Sequence, residues 1–592
     1  MMKRIILFFL SIVLPCATFH TVRAQGWPEK YDGVMLQGFY WNSYSDTNWA
    51  NLEAQADELS QFFSLIWVPN SAYANDLSNN MGYHPVYWFD HKSAFGTEAQ
   101  LRSMIKTFKD KGTGIIEDVV INHRASVDGN WLNFPAETYK GVTYKLTAAD
   151  ICKDDESKNS GYNPTGAADS GGKWDGARDL DHSSQNVQTN VQAYLDKLKN
   201  DLGYIGFRYD FVKGYAAKYV GQYNKIAQPQ FSVGECWDSK TTIVNWLNGT
   251  KQDGQVMSAA FDFPMKYNIN DVFASATNWS KLDNAALAND ASWARYAVTF
   301  VDNHDTGPGA DSPTAPLYAN IEAANAFILT MPGTPCVWLR HWQTYKNAIK
   351  RLIVVRKAAG VHNQSAILSK QSTSNGYVLN VQGTKGNMLL LLGSATTSTD
   401  GYKLAVEGTN YKLYVSNGVD LSALDNIKDD SFVAPDFCVV NEGELCAFFE
   451  APASWTTVRC WAWNGNCNFT SGNWNTATLC TKVGTNNGKS VWKWSWDGKC
   501  YKPNTTTEMS RSGNPTGIIF HNGSGSQTSD LDFSNGGYYS ESGALQGVVT
   551  GISEISVTQK DKASRIYTLD GRQVTSPRRG IYIVDGRKIL VK

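Results

Sequence analysis

Short apolar runs alternate with longer amphipathic segments between Val34 and Leu339, and this alternation is the strongest pattern in the chain. The segments between the runs include NLEAQADELSQFF, EAQLRSMIKTFKDKG and QTNVQAYLDKLKNDLG, whose apolar residues recur every three or four positions as in a helix. Glycines mark the ends of such helices at Gly112 and Gly203. Eight strand-like runs separated by helices predict an α/β fold, a closed parallel (β/α)8 barrel. The runs are VMLQGFY, FFSLIWVP, TGIIEDVVIN, YIGFRYDF, FSVGECW, SAAFDFP, AVTFVDN and GTPCVWL.

A long irregular segment separates the third run from the fourth and is rich in Gly, Asp, Asn and Ser. It covers residues 124–184, far more than an ordinary connection between strand and helix. The length therefore predicts an inserted loop subdomain after strand 3. Its many aspartates suggest that a cation holds it together.

The pattern changes after the amphipathic segment NAIKRLIVVRKAAG, which we predict to be the last barrel helix. Alternating runs such as GYVLNVQ, GNMLLLLG, YKLAVEG and YKLYVSNG then predict antiparallel β domains. In the tail, IYTLDGRQVT and GIYIVDGRKILVK each predict a hairpin turned on Asp-Gly. The predicted organisation is a signal peptide (1–24), a barrel (25–123 and 185–360), an inserted domain B (124–184), an antiparallel β domain C (361–450), a Trp-rich β module (451–540) and a C-terminal tail (541–592).

The N-terminus has the three parts of a signal peptide: a basic start, an apolar centre, and small residues placed for cleavage before Gln25. A lipoprotein anchored at Cys16 is the alternative, although the residues before this cysteine make a poor lipobox. No later apolar run approaches the roughly 20 residues of a membrane helix. The sequence thus predicts a protein that is secreted or held at the cell surface.

Nine cysteines follow the signal peptide, so at least one stays unpaired. Cys152, Cys236 and Cys336 are widely spaced, whereas the other six cluster late in the chain. We predict the late set to hold the disulfides. It lacks CxxC spacing, which argues against zinc. The late set is Cys438, Cys446, Cys460, Cys467, Cys480 and Cys500.

Charge is balanced, with 54 basic and 55 acidic side chains and a net charge of -1. This gives no electrostatic reason to expect nucleic acid or an anionic membrane as partner. The chain also contains 20 Trp, 28 Tyr and 25 Phe, and exposed aromatic rings can stack on the apolar faces of sugars. A neutral partner fits this composition best.

Polar and charged residues end four of the predicted strands. Because the carboxyl ends of all strands in a parallel barrel meet at one rim, these residues should converge. For Arg208 and Asp210 taken alone, an internal salt bridge is the preferred explanation of the charges, but several convergent acids favour a carboxylate cluster. The four segments are EDVVINH with Asp118, Asn122 and His123; GFRYDFVKG with Arg208, Asp210 and Lys213; VGECW with Glu235; and FVDNHD with Asp302, Asn303, His304 and Asp305.

Asp210, Glu235 and Asp302 suit the cleavage of a glycosidic bond, which needs a carboxylate nucleophile and a carboxylic acid that protonates the leaving oxygen. Arg208 projects to the same side of its strand as Asp210 and can keep that carboxylate ionised. Glu235 lies between apolar neighbours in the sequence and is the better proton carrier. His123 and His304 have two interpretations, as hydrogen-bond donors to sugar hydroxyls or as structural residues.

These four segments, in this order and spacing, resemble the four signature regions of glycoside hydrolase family thirteen, the α-amylase family, and most closely its plant-type members. LQGFYWNSY, GYHPVYWFD, ICKDD, DLDH and ILTMPGTPC extend the resemblance from Gly26 to Glu450. It implies retaining hydrolysis of α-1,4-glucan, with Asp210 as nucleophile, Glu235 as general acid/base and Asp302 as stabiliser of the transition state. For retention, the carboxyl groups of Asp210 and Glu235 should lie roughly 5 to 5.5 Å apart.

The resemblance also implies a binding shell and a cofactor. Tyr83 matches a ring stacked under the sugar being cleaved, Lys213 matches a contact to the product-side sugars, and Asp118, His123, Arg208 and His304 match supporting residues. The family binds Ca2+ where the long loop meets the barrel. The loop NPTGAADSGGKWDGARDLDH departs from the family pattern, so we expect one structural calcium rather than several. Its expected ligands are Asn122, Asp155, Asp169, Asp179 and the carbonyl of Gly214.

Two C-terminal segments carry further resemblances. TVRCWAWNGNCNFTSGNWNT with PTGIIFHNGSGSQTSDLDFSNGGYY resembles a starch-binding β-sandwich module, in which Trp461 and Trp474 would hold glucan, while Trp492, Trp494 and Trp496 are equally compatible with a core. The tail SRIYTLDGRQVTSPRRGIYIVDGRKILVK resembles the sorting tails of exported Bacteroidetes proteins, and a plain terminal hairpin unit is the alternative. Such a tail would engage outer-membrane secretion machinery.

The sequence therefore predicts a secreted, calcium-binding α-amylase that hydrolyses starch and related α-1,4-glucan oligosaccharides internally. One alternative is a relative that transfers glucosyl units or prefers branched or cyclic glucans. Another is a catalytically inactive starch-binding protein of the cell surface, which the presence of all three acids disfavours.

Overall fold

A computed structural model describes residues 26–544 except 45, 76, 311–312, 428–433, 436, 442, 453, 471–472, 475–476, 487–488, 504 and 542, and also the backbone of four strands between residues 566 and 591. The predicted signal peptide and the Cys16 alternative lie outside the described residues. Within the described part of the chain, no helix is long and apolar enough to cross a bilayer.

Eight strands form a closed barrel in the order β1-β8-β7-β6-β5-β4-β3-β2, which confirms the predicted (β/α)8 fold. Strand β1 pairs in parallel with β8 and with β2, and each neighbouring pair from β3 to β7 is also parallel, as a barrel with helical crossovers requires. Each strand falls inside one of the eight apolar runs. The strands are β1 (Met35–Gln37), β2 (Leu65–Val68), β3 (Gly114–Val119), β4 (Gly206–Tyr209), β5 (Phe231–Gly234), β6 (Ala259–Phe261), β7 (Ala297–Phe300) and β8 (Thr334–Trp338).

The α-helices follow the amphipathic segments, with two differences. The predicted helix NLEAQADELSQFF is two helices, because Gln55 leaves helical geometry at φ -92°, ψ 1°. The segment that begins at Gln185 continues from an α-helix into a π-helical turn, Lys197–Leu202, and stops at the left-handed Gly203 as predicted. The helices are α1 (Trp49–Glu53), α2 (Ala56–Phe62), α3 (Glu98–Asp110), α4 (Gln185–Asp196), α5 (Lys218–Ala227), α6 (Lys240–Gly249), α7 (Phe263–Phe273), α8 (Ile321–Thr330) and α9 (Leu339–Ala359).

Helix α3 shows how the local sequence specifies a barrel helix. A capping box joins Thr97 and Gln100, so the first unpaired amides of the helix are satisfied. Four apolar side chains recur at helical spacing and are buried, while the opposite face is charged. Gly112, at φ +83°, ends the helix in the left-handed conformation. The buried residues are Leu101, Met104, Ile105 and Phe108.

The segment between β3 and α4 has its own small structure. Strand His123–Arg124 pairs with Arg178–Asp179, and a hairpin joins Glu137–Tyr139 to Val142–Tyr144. Buried Arg124 bonds the Glu137 carboxylate at 3.0 Å, and the Arg178 guanidinium lies 3.7 Å from the centre of the Phe134 ring. These paired buried cations hold the irregular segment together. Two 3-10 turns, Ala148–Asp150 and Glu156–Ser160, complete it, and strands Tyr73–Ala74 and Pro85–Tyr87 pair after β2.

A five-stranded antiparallel sheet follows α9. It contains the four predicted alternating runs and one additional edge strand, Ile367–Ser372, whose side chains are mostly exposed. Its strands, in spatial order, are Ile367–Ser372, Gly376–Val381, Met388–Gly393, Tyr411–Ser416 and Tyr402–Gly408.

The Trp-rich module is a sandwich of a five-stranded and a four-stranded sheet around one core. Strand Cys446–Glu450, which the sequence analysis assigned to the preceding domain, lies at the centre of the five-stranded sheet. The module therefore begins before residue 446, because this strand is buried by the module and pairs with its strands. One sheet contains Thr481–Asn486, Lys489–Ser495, Cys446–Glu450, Gly537–Ser540 and Gly543–Ala544; the other contains Thr478–Leu479, Arg459–Trp463, Gly517–His521 and Leu531–Asp532; Cys500–Tyr501 pairs with Glu508–Met509.

In the tail, strand Ile566–Thr568 pairs with Gln573–Val574 and Gly580–Val584 pairs with Arg587–Val591, as the two Asp-Gly hairpins predict. Contacts between Cα atoms group the chain into two compact units. Of the described residues, one unit contains those up to Tyr31, Val68–Phe261 and Arg295–Val298, and the other contains Asp32–Trp67, Asp262–Ala294 and those from Thr299 onward.

Candidate active site

Arg208, on β4, binds three carboxylates in the first unit. The strand register places it beside Asp118 of β3, and its guanidinium lies 2.5 Å from Asp118, 2.8 Å from Asp210 and 3.1 Å from Glu235. These side chains are almost fully buried, so the ion pairs are little screened by water. Asp210 therefore belongs to a cluster of charges and does not form an isolated ion pair with Arg208. One guanidinium holds three acids from three neighbouring strands in one cluster.

Asp210 and Glu235, the acids that the sequence predicts to be the nucleophile and the proton carrier, both have raised pKa values in this cluster. Burial raises the pKa of Asp210 to about 6, against the opposing charge of Arg208. Burial also raises the pKa of Glu235, again opposed by Arg208 and reinforced by the Asp210 charge. The two carboxyl groups contact the two terminal nitrogens of one guanidinium and are therefore neighbours. The pair can therefore hold one proton, which leaves one carboxylate and one carboxylic acid.

The backbone after Asp210 contributes a further contact. Phe211 adopts a left-handed conformation, φ 40° and ψ 51°, which is unfavourable for a residue with a side chain. In this conformation its N–H donates a hydrogen bond of 2.9 Å to Glu235 Oε2. The strained turn thus orients the Glu235 carboxyl group, a feature that the sequence alone did not indicate.

Tyr83, Asp118 and His123 form a linked group. The Tyr83 hydroxyl donates to Asp118 Oδ2 at 2.9 Å, and His123 Nε2 donates to the Tyr83 carbonyl oxygen at 2.8 Å. His123 Nδ1 lies 3.3 Å from Asn122 Nδ2. Both ring nitrogens of His123 therefore bond within the protein, which favours the structural interpretation over the donor to sugar. The indole of Trp174, from the inserted segment, stacks on the His123 ring at 4.1 Å.

The second unit carries the residues that follow β7. His304 is buried, its Nδ1 lies 2.9 Å from Gln37 Nε2, and its Nε2 lies 3.1 Å from Asp305 Oδ2. The rings of Phe39, Trp41 and Trp67 pack around it. Because Gln37 Nε2 can only donate, Nε2 of His304 carries the proton and orients the Asp305 carboxylate.

Asp302 occupies a different environment from the one we predicted. Its side chain is completely buried, bonds the equally buried Lys266 ammonium at 2.6 Å and accepts the Leu317 amide at 3.2 Å. His341 Nε2 lies 3.5 Å from its second oxygen. These partners hold the carboxylate inside the protein, so Asp302 has the environment of a structural ion pair. Asp305, in the same FVDNHD segment, is 29% exposed and is the accessible acid.

The remaining predicted sugar contact, Lys213, lies in the turn after β4. Its ammonium pairs with Asp238 at 3.0 Å, and both side chains are about one-third exposed. This pair is solvated and accessible, as a contact to substrate requires.

A cluster of acids lies in the inserted segment. Ligand oxygens of Asp155, Glu156 and Asp179 lie within 4.8 Å of one another. Burial, together with the charges of Asp169 and Asp155, raises the pKa of Asp179 to about 8. A divalent cation would neutralise this concentration of negative charge. Glu156 was not among the predicted ligands, because the sequence spacing gave no reason to choose it.

The other predicted ligands border the same cluster. Asn122 Nδ2 donates to Asp179 at 3.1 Å, and the Asn122 Oδ1 atom lies so close to Gly214 that a Cβ there would come within 2.0 Å of it. Asp169 Oδ2 is buried without a hydrogen-bond partner, while its other oxygen accepts the Gly171 amide. An unpartnered buried carboxylate oxygen beside further acids is the donor set of a hard cation. The residues present therefore fit a calcium ion.

The Trp-rich module contains a pocket of about 310 Å³. Both predicted tryptophans line it, with Trp461 and Trp474 ring centres 5.7 Å apart, and Trp463 shares the pocket as its alternation with Trp461 predicts. Trp474 is held by stacking on His521 at 4.2 Å. Asn468 and Asp530 supply polar atoms. Trp494 is fully buried in the core, and Trp492 and Trp496 pack against that core.

A parallel barrel that carries paired, buried carboxylates with raised pKa values at its strand ends has the arrangement that glycoside cleavage needs. The catalytic domain of α-amylase matches residues 64–375, more than half of the chain. The chain therefore belongs to the α-amylase family.

Curated relatives agree with this assignment. "Probable alpha-amylase 2" of Arabidopsis thaliana is 30% identical over 403 residues, which cover 64% of this chain and 93% of that protein. "Glucan 1,4-alpha-maltotetraohydrolase" of Stutzerimonas stutzeri is 31% identical over 61% of this chain and 68% of its own length. "Alpha-amylase 3, chloroplastic" of Arabidopsis thaliana is 28% identical over 64% of this chain and 44% of its own length.

Proposed function

We propose that this protein is an endo-acting α-amylase that hydrolyses α-1,4-glucosidic bonds in starch with retention of configuration. The observation that carries the proposal is the Asp210–Glu235 pair, buried, joined by Arg208 and able to hold one proton. Retention needs two close carboxyl groups, whereas inversion needs room for a water between groups roughly 6.5 to 9.5 Å apart. Because Nη1 of Arg208 contacts Asp210 and Nη2 contacts Glu235, the two carboxyl groups are close, which supports the retaining geometry.

In the first step, protonated Glu235 gives its proton to the glycosidic oxygen while the Asp210 carboxylate attacks the anomeric carbon. The bond to the leaving sugar breaks and a glucosyl ester of Asp210 forms. Arg208 favours the ionised state of Asp210 despite burial, and the Phe211 amide orients Glu235. In the second step, the Glu235 carboxylate takes a proton from water, which attacks the ester and releases Asp210.

We assign the third acid to Asp305 rather than Asp302. A carboxylate that stabilises the positive charge on the sugar must reach substrate, and Asp302 is enclosed with Lys266. Asp305 is accessible and oriented by His304.

The acidic cluster of the inserted segment would hold one Ca2+. Asp155, Glu156, Asp169, Asp179 and Asn122 offer side-chain oxygens, and the Gly214 carbonyl remains a predicted ligand. When bound, the ion would neutralise the acids and brace the insert. The Gly172 amide donates to the Lys213 carbonyl at 2.7 Å, so the braced segment also contacts the turn that follows the catalytic strand β4.

Export and starch adsorption complete the proposal. The N-terminal signal and the C-terminal tail support a secreted or surface location, in which outer-membrane secretion machinery is the partner of the tail. The three tryptophans of the module pocket support binding of starch by ring stacking.

Product analysis on amylose tests this function against its alternatives. We expect short α-configured oligosaccharides early in the reaction, with a rapid fall in iodine staining and little transfer to added acceptor sugars. Predominant transfer products would favour the transglycosylase alternative. No release of reducing ends would favour the inactive starch-binding alternative.

The pH dependence follows from the Asp210 carboxyl group. Because burial raises the pKa of Asp210 to about 6, we expect kcat/KM to fall about tenfold per unit below that pH, as the nucleophile becomes protonated. The charge of Asp118 raises this pKa, so Asp118→Asn should move the acid limb to lower pH. Rates on maltoheptaose measure both profiles, and an unmoved limb in the variant would contradict the assignment.

Calcium should stabilise the fold through the acidic cluster. At 100 times its Kd, a ligand adds about 2.7 kcal/mol to the free energy of unfolding, which corresponds to a rise of roughly 5 °C in Tm. We expect this rise when calcium is added to chelated protein in a thermal scan. Asp179→Asn removes a central ligand and should abolish it. An equal rise in that variant would place the ion elsewhere.

Loss of a module tryptophan should separate adsorption from catalysis. We expect Trp461→Ala and Trp474→Ala each to weaken binding to granular starch about tenfold, because each removes a stacking ring from the pocket. Turnover of maltoheptaose should not change. Trp496→Phe is the matched control, since Trp496 packs against the core and its Nε1 bonds the Lys499 carbonyl. A sedimentation assay with starch granules measures the effect.

A further inference from the structure

Trp174 lies beside the predicted substrate residues although its segment departs from the family pattern. Its indole stacks on His123 at 4.1 Å with 20° between the planes, and lies 5.4 Å from the His84 ring. The side chain is half-buried, so part of the ring stays accessible. Both ring nitrogens of His123 bond within the protein. A ligand at this position would therefore contact the stacked aromatic rings.

The backbone around Trp174 is bound by the acidic cluster. The Gly176 amide donates to Glu156 Oε1 at 2.9 Å, and the Trp174 amide lies within hydrogen-bonding range of the Asp179 carboxylate. Gly176 has φ +149° and no side chain, and the Trp174 ring packs 3.1 Å from where a Cβ would stand. Two acids of the cluster therefore bind the backbone on which the ring is carried, and Gly176 leaves room for the ring.

We propose that Trp174 is a specificity-determining residue that stacks on a glucose unit of the bound glucan, and that the acidic cluster holds it in place. This inference rests on the proposed function. A planar indole matches the apolar face of a pyranose ring, and its placement on His123 and near Tyr83 sets it among the predicted substrate residues. Because Glu156 and Asp179 bind the backbone around Trp174, the position of its ring depends on the acidic cluster.

Kinetics and product patterns of two variants test the stacking role. We expect Trp174→Ala to lower kcat/KM on end-labelled maltoheptaose about tenfold, mainly by raising KM, and to shift the main cleavage position. Trp174→Phe should retain most of the pattern, because a smaller ring still stacks. The control is Tyr144→Ala, which removes another half-buried aromatic of the insert, one that packs on Phe89. An unchanged pattern and KM in Trp174→Ala, or an equal change in the control, would overturn the proposal.

Failure of the parent function gives a different result. If the parent protein does not hydrolyse maltoheptaose, the proposed function falls, and calorimetric binding of maltoheptaose then decides the role of Trp174. Weaker binding by Trp174→Ala than by Tyr144→Ala would sustain the stacking role, and equal or absent binding would end it.

Fluorescence tests the link to the cluster without any activity measurement. Adding calcium to chelated protein should change the tryptophan emission of the parent, and Trp174→Phe should lose most of that change. An equal change in both proteins would show that the cluster does not control this ring.

A separate observation concerns the six late cysteines, all of which are buried thiols in the structure. Cys460 pairs with Thr478 on the neighbouring antiparallel strand, and the Cys480 amide donates to the Val458 carbonyl. Cys480 is two residues beyond Thr478, so Cys460 and Cys480 are diagonal neighbours on the same face of the sheet. Asn468 and Tyr501 form a bridge with two backbone hydrogen bonds. By the same alternation, Cys467 and Cys500 are diagonal neighbours.

Each pair shares a core. The members of these two pairs belong to the larger core of the module, while Cys438 and Cys446 belong to a smaller cluster with Phe448. The thiols of Cys467 and Cys500 lie within hydrogen-bonding range. Every late cysteine thus has one cysteine neighbour, and the three early cysteines are the ones left over.

We infer that the module carries three disulfides, Cys438–Cys446, Cys460–Cys480 and Cys467–Cys500. Each forms when two thiols lose two protons and two electrons, and a disulfide oxidant such as oxidised glutathione is reduced to two thiols. The closed loops would stabilise a small module by restricting its unfolded chain.

Peptide mapping tests this pairing. Protein unfolded, refolded in a glutathione redox buffer and alkylated without reduction should yield three linked peptides, with Cys152, Cys236 and Cys336 alkylated. A triple Ser variant of these three should give the same three linked peptides. Other linkages, or six alkylated late cysteines after refolding, would overturn the inference.

Discussion

Replacing Asp210 by Asn should lower kcat on soluble starch by at least about 10⁴-fold while binding to granular starch stays intact. The amide cannot form the ester with glucose, and Asp118, the other acid on the same guanidinium nitrogen, is completely buried. The fold should tolerate the change, because a neutral amide is easier to bury than a carboxylate whose pKa burial has already raised. Reducing-sugar release and a starch sedimentation assay measure the two effects.

Glu235→Gln is the matched control for this prediction. Loss of the proton carrier should slow starch hydrolysis strongly but spare substrates with good leaving groups, such as aryl maltosides, in their first step. Asp210→Asn should be inactive on both substrates. Hydrolysis of starch by Asp210→Asn at more than a few per cent of the parental rate would remove Asp210 from the role of nucleophile.

The second large effect separates two aspartates three residues apart. We expect Asp305→Asn to lower kcat about 10² to 10³-fold with a change of about 1 kcal/mol or less in the free energy of unfolding, since Asp305 is accessible and is our proposed stabiliser of charge on the substrate. We expect Asp302→Asn to destabilise the protein by about 3 to 5 kcal/mol, because it leaves the Lys266 ammonium buried without its carboxylate.

A double variant keeps this comparison decisive. Asp302→Asn combined with Lys266→Met removes both charges and should regain much of the lost stability and activity. Chemical denaturation and kcat on maltoheptaose measure the set. If Asp302→Asn folded with parental stability and lost catalysis while Asp305→Asn kept it, the original assignment of Asp302 would be right and our correction wrong.

The sequence did not predict which of Asp302 and Asp305 is buried and which is accessible. The run AVTFVDN identified β7, and FVDNHD identified a polar strand end, but both aspartates lie beyond Phe300, where the strand ends. In a strand, alternation decides which way a side chain points, whereas after the strand the turn decides. Lys266 lies on α7, 36 residues from Asp302 in the sequence, and no local pattern predicts that it binds Asp302.

The acids of β4 and β5 were more predictable. Arg208 lies in β4 and Asp210 is the first residue after it, where the strand's alternation still holds, so the two lie on one side and bond at 2.8 Å. Glu235 directly follows β5, which pairs with β4 in register. The predicted cluster on these strands is therefore present. The inserted segment has no such period, and its length and acidity indicated a cation site without revealing Glu156 or the position of Trp174.

The sequence by itself determined the eight strands, most of the helices, the inserted segment and the convergence of acids at the ends of β4 and β5. Hydrophobic periodicity and strand alternation are local properties that burial enforces. Only the tertiary structure decided which aspartate after β7 is enclosed by a lysine, which cysteines become neighbours and where the Trp174 ring rests. These outcomes depend on side chains from distant segments meeting in irregular turns, where electrostatic pairing and packing, rather than any repeating pattern, determine the geometry.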